Sequence, residues 1–388
     1  MRDPAAALAE REAQGLYRRR RTLTALRDSR VRLDGRPLLA FCSNDYLGLA
    51  GDPRIARALQ EGADRWGTGA GSAHLVCGHY APHEALEEAL AEFTGRPRAL
   101  LFSTGYMANL GVIQALVGRG DRLWEDRLNH ASLIDGALLA RARLRRYPHL
   151  DPSPLEADRQ APRVIATDGL FSMDGDLAPL PRLADLAREL GAWLLVDDAH
   201  GLGVLGANGG GTLEHFGLGV DRVPLLMGTL GKAFGVFGAF VAAPEPLIET
   251  LIQHARSYIY TTAPPPALAV ATLKALEIVR TEGWRRAHLN ALVALFREEA
   301  ERRGLPLMDS ATPIQPLLAG SAARALAWSR ALEERGFLVP AIRPPTVPGG
   351  RARLRITLSA AQRPEQVLGL VEALAATRED LPEDPCPA

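Results

Sequence analysis

"AWLLVDDAHG", residues 192–201, is a continuous apolar run that ends in two carboxylates and a histidine. A strand with apolar side chains on both faces belongs inside a parallel sheet covered by helices. Five more short apolar runs follow the same pattern: "RALLFS" (98–103), "DRLWED" (121–126), "RVIATDGLFS" (163–172), "PLLMGTL" (224–230) and "GAFVAA" (238–243). Between several of them lie stretches with helical periodicity, "YMANLGVIQALV", "ASLIDGALLARA" and "PLPRLADLARELG". Strands alternating with helices predict an α/β fold, a large domain built on a mostly parallel sheet flanked by helices. In such sheets ligands gather at the carboxyl ends of the strands, so the polar residues just after each apolar run are the candidates for function.

A chain of 388 residues has room for a large and a smaller domain. Residues 1–40 read as a helical arm closed by the hairpin-like "VRLDGRPLL", and 41–283 as the large α/β domain. Residues 284–388 read as a small α+β domain. It runs from the helical "WRRAHLNALVALFREEAERRG" through "PIQPLLAG", "AARALAWSRALEERG" and "ARLRITLS" to the helix "PEQVLGLVEALAATRED" and a frayed tail, "LPEDPCPA".

Forty-five acidic and 45 basic residues cancel, giving no reason to expect nucleic acid or an anionic membrane as a partner. Cys42, Cys77 and Cys386 are odd in number and widely spaced, which speaks against a disulfide framework or a zinc ribbon and suits a reducing compartment. The opening "MRDPAAALAEREAQG" lacks the apolar core of a secretory leader, and no run approaches membrane-spanning length. A cytoplasmic protein is expected.

All but two of the basic side chains are arginine; only Lys232 and Lys274 offer a primary amine. Lys274 lies on an amphipathic helical stretch near Glu277 and Arg280 and reads as a solvated face. Lys232 sits in "MGTLGKAFG" at the end of an apolar run, where loss of solvent would lower its pKa and leave a nucleophilic amine. The surrounding "GTLGKA" is no P-loop, because Leu226 and Ala233 stand where that motif needs Gly and Ser or Thr. "GLGVLG" (201–206) matches a dinucleotide fingerprint in letters only: it follows "DDAH", and the next residues, "ANGGGTLEHFG", are not expected to open a helix. His79 and His83 are four apart with Pro82 between them and no third ligand in view, so no metal site is expected.

Other strand ends carry polar groups. In "FSTGYMANLG" a helix starting near Tyr106 would present free N–H groups to a phosphate, or be simply capped. Asp197, Asp198 and His200 could cap a loop, hold magnesium, or converge on one ligand. His130 and the pair Ser172 and Asp174 occupy two further strand ends. An anion site, a carboxylate for a pyridine nitrogen, two imidazoles and an amine together suit pyridoxal 5′-phosphate.

Seven stretches, "CSNDYLGL", "FSTGYMANLG", "NHASLIDGA", "FSMDGD", "DDAHGLGVLG", "TLGKAFG" and "LRITLS", stand in the order and near the spacing of the α-oxoamine synthases. The chain resembles that family over almost its whole length, and most resembles its biotin-pathway branch through "GKAFGVFGAFVA" and "RSYIYTTAPPPA". The resemblance implies a homodimeric fold-type-I pyridoxal-phosphate enzyme that condenses an amino acid with an acyl thioester. For this branch those are L-alanine and a pimeloyl group on coenzyme A or acyl-carrier protein.

It further implies that Lys232 carries the cofactor aldehyde and acts as the base, Asp197 pairs with the pyridine nitrogen, His200 bonds the phenolic oxygen and His130 stacks on the ring. Gly105, Tyr106 and Thr229 would serve the phosphate, with Ser172 near the ring and Thr261 and Thr262 reaching the partner's cofactor. Arg18, Asn44, Thr346 and Arg355 would line the substrate side, Arg355 gripping the amino-acid carboxylate. Asp168, where relatives often have glutamate, and Leu202, where threonine is common in that branch, depart from the pattern. Rival readings are a glycine-using sibling of the glycine C-acetyltransferase or 5-aminolevulinate synthase type, a non-catalytic pyridoxal-phosphate-binding protein, and a nicotinamide dehydrogenase resting on "GLGVLG" alone.

Overall fold

The structure, a computed structural model, describes residues 3–13, 16–27, 29–158 and 160–380; the tail "LPEDPCPA", with Cys386, lies outside the described residues. The exposed helix α1 (Pro4–Ala13) precedes the antiparallel strands β1 (Leu23–Arg27), β2 (Arg30–Leu33) and β3 (Arg36–Ala40). Asp34 and Gly35, with φ of +49° and +79°, form the two-residue turn between β2 and β3, an Asp-Gly pair suited to a tight hairpin. Helices α2 (Pro53–Trp66) and α3 (Ala81–Thr94) lead into the main sheet.

That sheet has seven strands: β4 (Arg98–Phe102), β5 (Arg122–Asp126), β6 (Arg143–Tyr147), β7 (Val164–Asp168), β8 (Trp193–Asp197), β9 (Leu225–Thr229) and β10 (Ala239–Ala243). Their order is β4-β10-β9-β8-β7-β5-β6, and β10 alone runs antiparallel to its neighbours. Side chains alternate between two helix layers. Val164 and Ala166 of β7, Leu195 of β8, and Leu225 and Met227 of β9 pack with Val112 and Ile113 of α4 (Gly105–Leu116) and Leu133 of α5 (Ala131–Leu139). Ile165, Leu194, Val196 and Leu226 face the other way, into the cluster that holds Leu183 and Leu186. Each fully buried aliphatic side chain contributes about 1.5–3 kcal/mol, so both faces of the sheet are held in place by burial.

After the helices Pro266–Thr281 and Trp284–Arg302, a three-stranded antiparallel sheet follows. It consists of β11 (Ile314–Gly320), β13 (Ala341–Ile342) and β14 (Ala352–Thr357), with helices Ala322–Glu334 and Pro364–Asp380. A short strand, β12 (Phe337–Leu338), pairs in parallel with β3 and joins the N-terminal hairpin to this region.

Two features differ from the sequence reading. Strand β6, "RLRRY", is an arginine-rich edge strand with mostly exposed side chains, so it lacks the apolar run that marked the other six. A five-residue helix, Gly211–His215, forms within "ANGGGTLEHFG", where none was expected.

The glycines before that helix serve Asp198. This fully buried carboxylate accepts a hydrogen bond from Thr212 N at 2.7 Å, and burial pushes its pKa up to about 7. A Cβ on Gly201 would lie 2.1 Å from Asp198 Oδ1, and one on Gly211, at φ +84°, 1.9 Å from Oδ2. The loop therefore closes over Asp198 only as glycine. Gly211→Ala is expected to cost about 2–5 kcal/mol, combining left-handed strain with overpacking. Urea unfolding measures this, and an unchanged midpoint would refute the cradle.

Candidate active site

Asp168, Asp197 and Thr229 stand at the carboxyl ends of the adjacent strands β7, β8 and β9, where Asp168 is in register with Asp197 and Asp197 with Met227. Residues just past these ends and the first turn of α4 enclose a cavity of about 200 Å³. Gly105, Tyr106, His130, Ser172, Asp197, His200, Thr229 and Lys232 all line it, so eight residues singled out in the sequence share one space. Ser132, Asp168, Ala199 and Met227 complete the wall.

Helix α4 opens at this cavity because Thr104, in extended conformation, accepts a hydrogen bond from Met107 N through its hydroxyl and caps the first turn. The N–H groups of that turn, at Gly105 and Tyr106, have no partner within the helix and are of the kind that suits an anion. Tyr106 is held by a hydrogen bond from its hydroxyl to Asp135, and its ring meets that of His130 edge-on.

Lys232 lies in the turn after β9, which is pinned by hydrogen bonds from Leu230 N to Gly238 O and from Gly235 N to Lys232 O. The side chain is half-buried, and its Nζ is 2.8 Å from His200 Nε2. Burial of the amine lowers its pKa to about 8, against the opposing pull of Asp197 and Asp168. Burial also holds His200 well below the ordinary imidazole range, aided by the nearby positive charges of Lys232 and Arg355. Asp168 is pushed up by burial and by the neighbouring charge of Asp197. Asp197 receives hydrogen bonds from Ala199 N at 3.0 Å and Asn109 Nδ2 at 2.7 Å. Consecutive aspartates thus have different surroundings: Asp197 lines the cavity and Asp198 supports the loop beneath it.

On the far side of His200, its Nδ1 is 2.6 Å from the hydroxyl of Tyr46, a fully buried residue. Tyr46 in turn approaches Asn44 Oδ1 at 3.4 Å, and Arg355 Nη2 donates to that same oxygen at 3.3 Å. Arg355 also donates to Ser172 O and Thr357 Oγ1, which tie the guanidinium to the loop after β7; neither Arg355 nor Asn44 is among the residues that line the cavity itself. Asp174 does not line the cavity; it forms a buried ion pair with Arg353 at 2.7 Å.

Several expected residues lie elsewhere. Arg18 and Thr346 meet in a separate cavity of about 170 Å³, walled by Leu16 and the Ala341–Pro345 segment. Thr261 and Thr262 line neither cavity of their own chain, so a role at a phosphate requires a second copy. Leu202 is buried against Gly228 and lies off the cavity, whereas Asp168 is inside it.

A third histidine does lie near His79 and His83: one ligand atom from each of His74, His79 and His83 falls within 4.8 Å of the others. His83, however, has both nitrogens engaged, one accepting from Tyr80 N and the other bonded to Pro264 O, so it has no lone pair free for a metal. A larger cavity, about 600 Å³, is walled by Ser43, Asp45, Asp52 and Arg285 among others. Its carboxylates are already satisfied by Leu49 N, Ala50 N, Arg54 and Arg285, and neither lysine nor histidine lines it, so the chemistry belongs to the smaller cavity. Sequence reasoning passed over Asn109, Ser132 and Tyr46, although each stands in a quoted motif. A polar asparagine inside the apolar "YMANLGVIQALV" was the available signal.

Residues 36–374 match the aminotransferase class I and II family, and the chain belongs to it. A similar relative is the 8-amino-7-oxononanoate synthase of Pseudomonas putida, 64% identical over 376 residues, which are 96% of each chain. Among solved structures, the 8-amino-7-oxononanoate synthase of Francisella tularensis superposes with a TM-score of 0.79 at 33% identity, covering 88% of this chain and 98% of its own. A variant serine palmitoyltransferase from S. paucimobilis with a bound PLP–myriocin aldimine gives a TM-score of 0.90 at 27% identity, over 97% of this chain and 96% of its own.

The lowered pKa of Lys232 sets a pH dependence. Depression from 10.5 to about 8 means that the reactive neutral amine accumulates as pH rises through 8. Reductive trapping of an aldehyde on Lys232, followed by peptide mass spectrometry from pH 6 to 11, should reach half its maximal rate near pH 8. A midpoint near 10.5 would show that the amine is solvated.

Proposed function

We propose that this member of the aminotransferase class I and II family catalyses the decarboxylative condensation of L-alanine with a pimeloyl thioester to give 8-amino-7-oxononanoate, a step of biotin biosynthesis. The acyl group arrives on coenzyme A or acyl-carrier protein. The cofactor is pyridoxal 5′-phosphate, which supplies a covalent anchor for the amino acid and an electron sink for the charge left when a bond at its α-carbon breaks. One observation carries the assignment of roles: the amine of the half-buried Lys232 stands with His200, Asp168 and Asp197 at the carboxyl edge of the parallel sheet.

The donor set fits that cofactor. The start of α4 and Thr229 receive the phosphate. Asp197, already supported by two donors, holds the ring nitrogen protonated, because an anion there stabilises the positive charge. His200 hydrogen-bonds the phenolic oxygen and His130 stacks on the ring. Lys232, with a pKa near the working pH, removes the α-proton of alanine and later returns one. Arg355, fixed by Ser172 O and Thr357, presents its guanidinium to the alanine carboxylate, with Asn44 beside it. Arg18 and Thr346, in the separate smaller cavity, are assigned to the acyl substrate.

The protein works as a homodimer. Exposed apolar side chains support this: Leu75, Val76, Phe237 and Tyr260 are 52%, 78%, 50% and 71% accessible, a cost that a second copy would remove. Tyr260 adjoins Thr261 and Thr262 in the chain, which supports a part for those threonines at the surface a partner would cover. Among the described residues no helix is long and apolar enough to cross a membrane.

The visible spectrum of the pyridoxal-phosphate-loaded protein should change on adding L-alanine, and more strongly than on adding glycine. A preference for glycine would move the activity to a glycine-using sibling. Lys232→Ala should lower turnover by at least ~10²–10⁴-fold, the usual contribution of a positioned base, and near-normal turnover would overturn the role given to Lys232. Sedimentation at micromolar concentration should give twice the chain mass; a monomer that is fully active would exclude any part for Thr261 and Thr262 across an interface.

A further inference from the structure

Asn109 is completely buried in α4, one turn beyond the helix start that forms the anion site. Its side-chain Nδ2 donates twice, to Asp197 Oδ2 at 2.7 Å and to Ser132 Oγ at 2.8 Å. Its Oδ1 is buried with no hydrogen-bond partner. Chemistry fixes the amide in this orientation, since the flipped form would set an oxygen against a carboxylate. The backbone N–H of Ser132, also fully buried, donates to His130 Nδ1 at 3.3 Å, and the Ser132 hydroxyl lies 2.7 Å from the same nitrogen. His130 Nδ1 is therefore an acceptor, and the ring's proton resides on Nε2.

The bonds run in one sense, from Asn109 to Asp197 on one side and from Asn109 through Ser132 to His130 on the other. Burying an amide oxygen without a partner is unfavourable, so the two bonds that the amide nitrogen donates are what this residue contributes.

We propose that Asn109 is a positioning residue for the reaction: one amide, with Ser132 as its extension, fixes Asp197 and His130 relative to each other. It also keeps His130 in the tautomer that presents a proton donor at Nε2. The proposal rests on the roles given above to Asp197 and His130. It adds that the same helix whose first turn holds the phosphate sets the two groups that contact the ring, so the helix positions both ends of the cofactor. Asn109 touches neither cofactor nor substrate and acts through these two side chains.

Asn109→Ala and Ser132→Ala test this in the full-length protein. Asn109→Ala should lower kcat about 10- to 100-fold, the scale expected when reacting groups lose alignment, while changing the KM for alanine less than about 3-fold. Long-range proton–nitrogen spectra of the cofactor-free protein, labelled at histidine, should show His130 in wild type with Nε2 protonated. In both variants the Nδ1 resonance should move, because the hydroxyl bond at 2.7 Å is lost or loosened and only the longer bond from Ser132 N remains fixed.

A folded Asn109→Ala protein with wild-type kcat and an unmoved resonance would overturn the proposal. If Asn109→Ala does not fold, an unmoved His130 resonance in Ser132→Ala overturns it instead. Asp197→Asn and His130→Ala in the same assay separate the two ways of failing. If these are inactive while Asn109→Ala is active, only the bridge is wrong; if they too are active, the site assignment beneath it has failed.

Discussion

The active-site geometry depends on an amine that has been taken out of water without being given a full counter-charge. Lys232 touches a neutral imidazole, and the carboxylates that favour its charged form, Asp168 and Asp197, act at longer range. Burial wins that contest and brings the amine to a pKa of about 8. A direct ion pair would have reversed the outcome, because an opposite charge within hydrogen-bonding distance keeps a lysine protonated. The position of His200 between Lys232 and Tyr46 is therefore as important as the presence of the lysine itself.

The parallel sheet makes this arrangement possible. Adjacent strands in register deliver Asp168, Asp197 and the β9 turn to one edge with little freedom, and the helices on both faces exclude water from below. The same regularity creates a hazard, since in-register neighbours put two carboxylates side by side. Asn109 and Ala199 N support Asp197 with two donors. Asp168 has the N–H of His130 at 3.2 Å, and its pKa is raised. The two groups thus differ in surroundings: Asp197 has two donors, whereas Asp168 has one and is pushed up by burial.

Much of this was legible in the sequence because burial leaves a strong pattern. Six of the seven strands in the main sheet announced themselves as apolar runs, and the polar residues at their ends converge as expected for an open α/β sheet. What escaped notice has physical reasons. Strand β6 is an edge, and its arginines protect it from pairing, so it carries no core signature. The helix at Gly211–His215 follows a glycine run that reads as a breaker, and its purpose, making room for Asp198, exists only in three dimensions. Asn109, Ser132 and Tyr46 meet Asp197, His130 and His200 through side-chain contacts, which no spacing rule reveals. Arg18 and Thr346 are more than 300 positions apart and meet only because Leu16 and the Ala341–Pro345 segment form a common wall.

Composition adds a last constraint. A chain that uses arginine for nearly every positive charge demonstrates where a guanidinium suffices. Arg353 and Arg355 satisfy buried acceptors through several planar donors, a task that a single ammonium would perform less completely. Position 232 is different in kind. A guanidinium stays protonated at any physiological pH and cannot serve as a nucleophile, whereas an amine surrendered by water can. Lys274, paired with Glu277 on an exposed helix face, shows that the bias toward arginine is not absolute. The weight therefore falls on the surroundings of Lys232. The β9 turn, the imidazole of His200 and the dehydrated edge of the sheet turn a residue that could be ordinary into one whose chemistry arginine cannot supply.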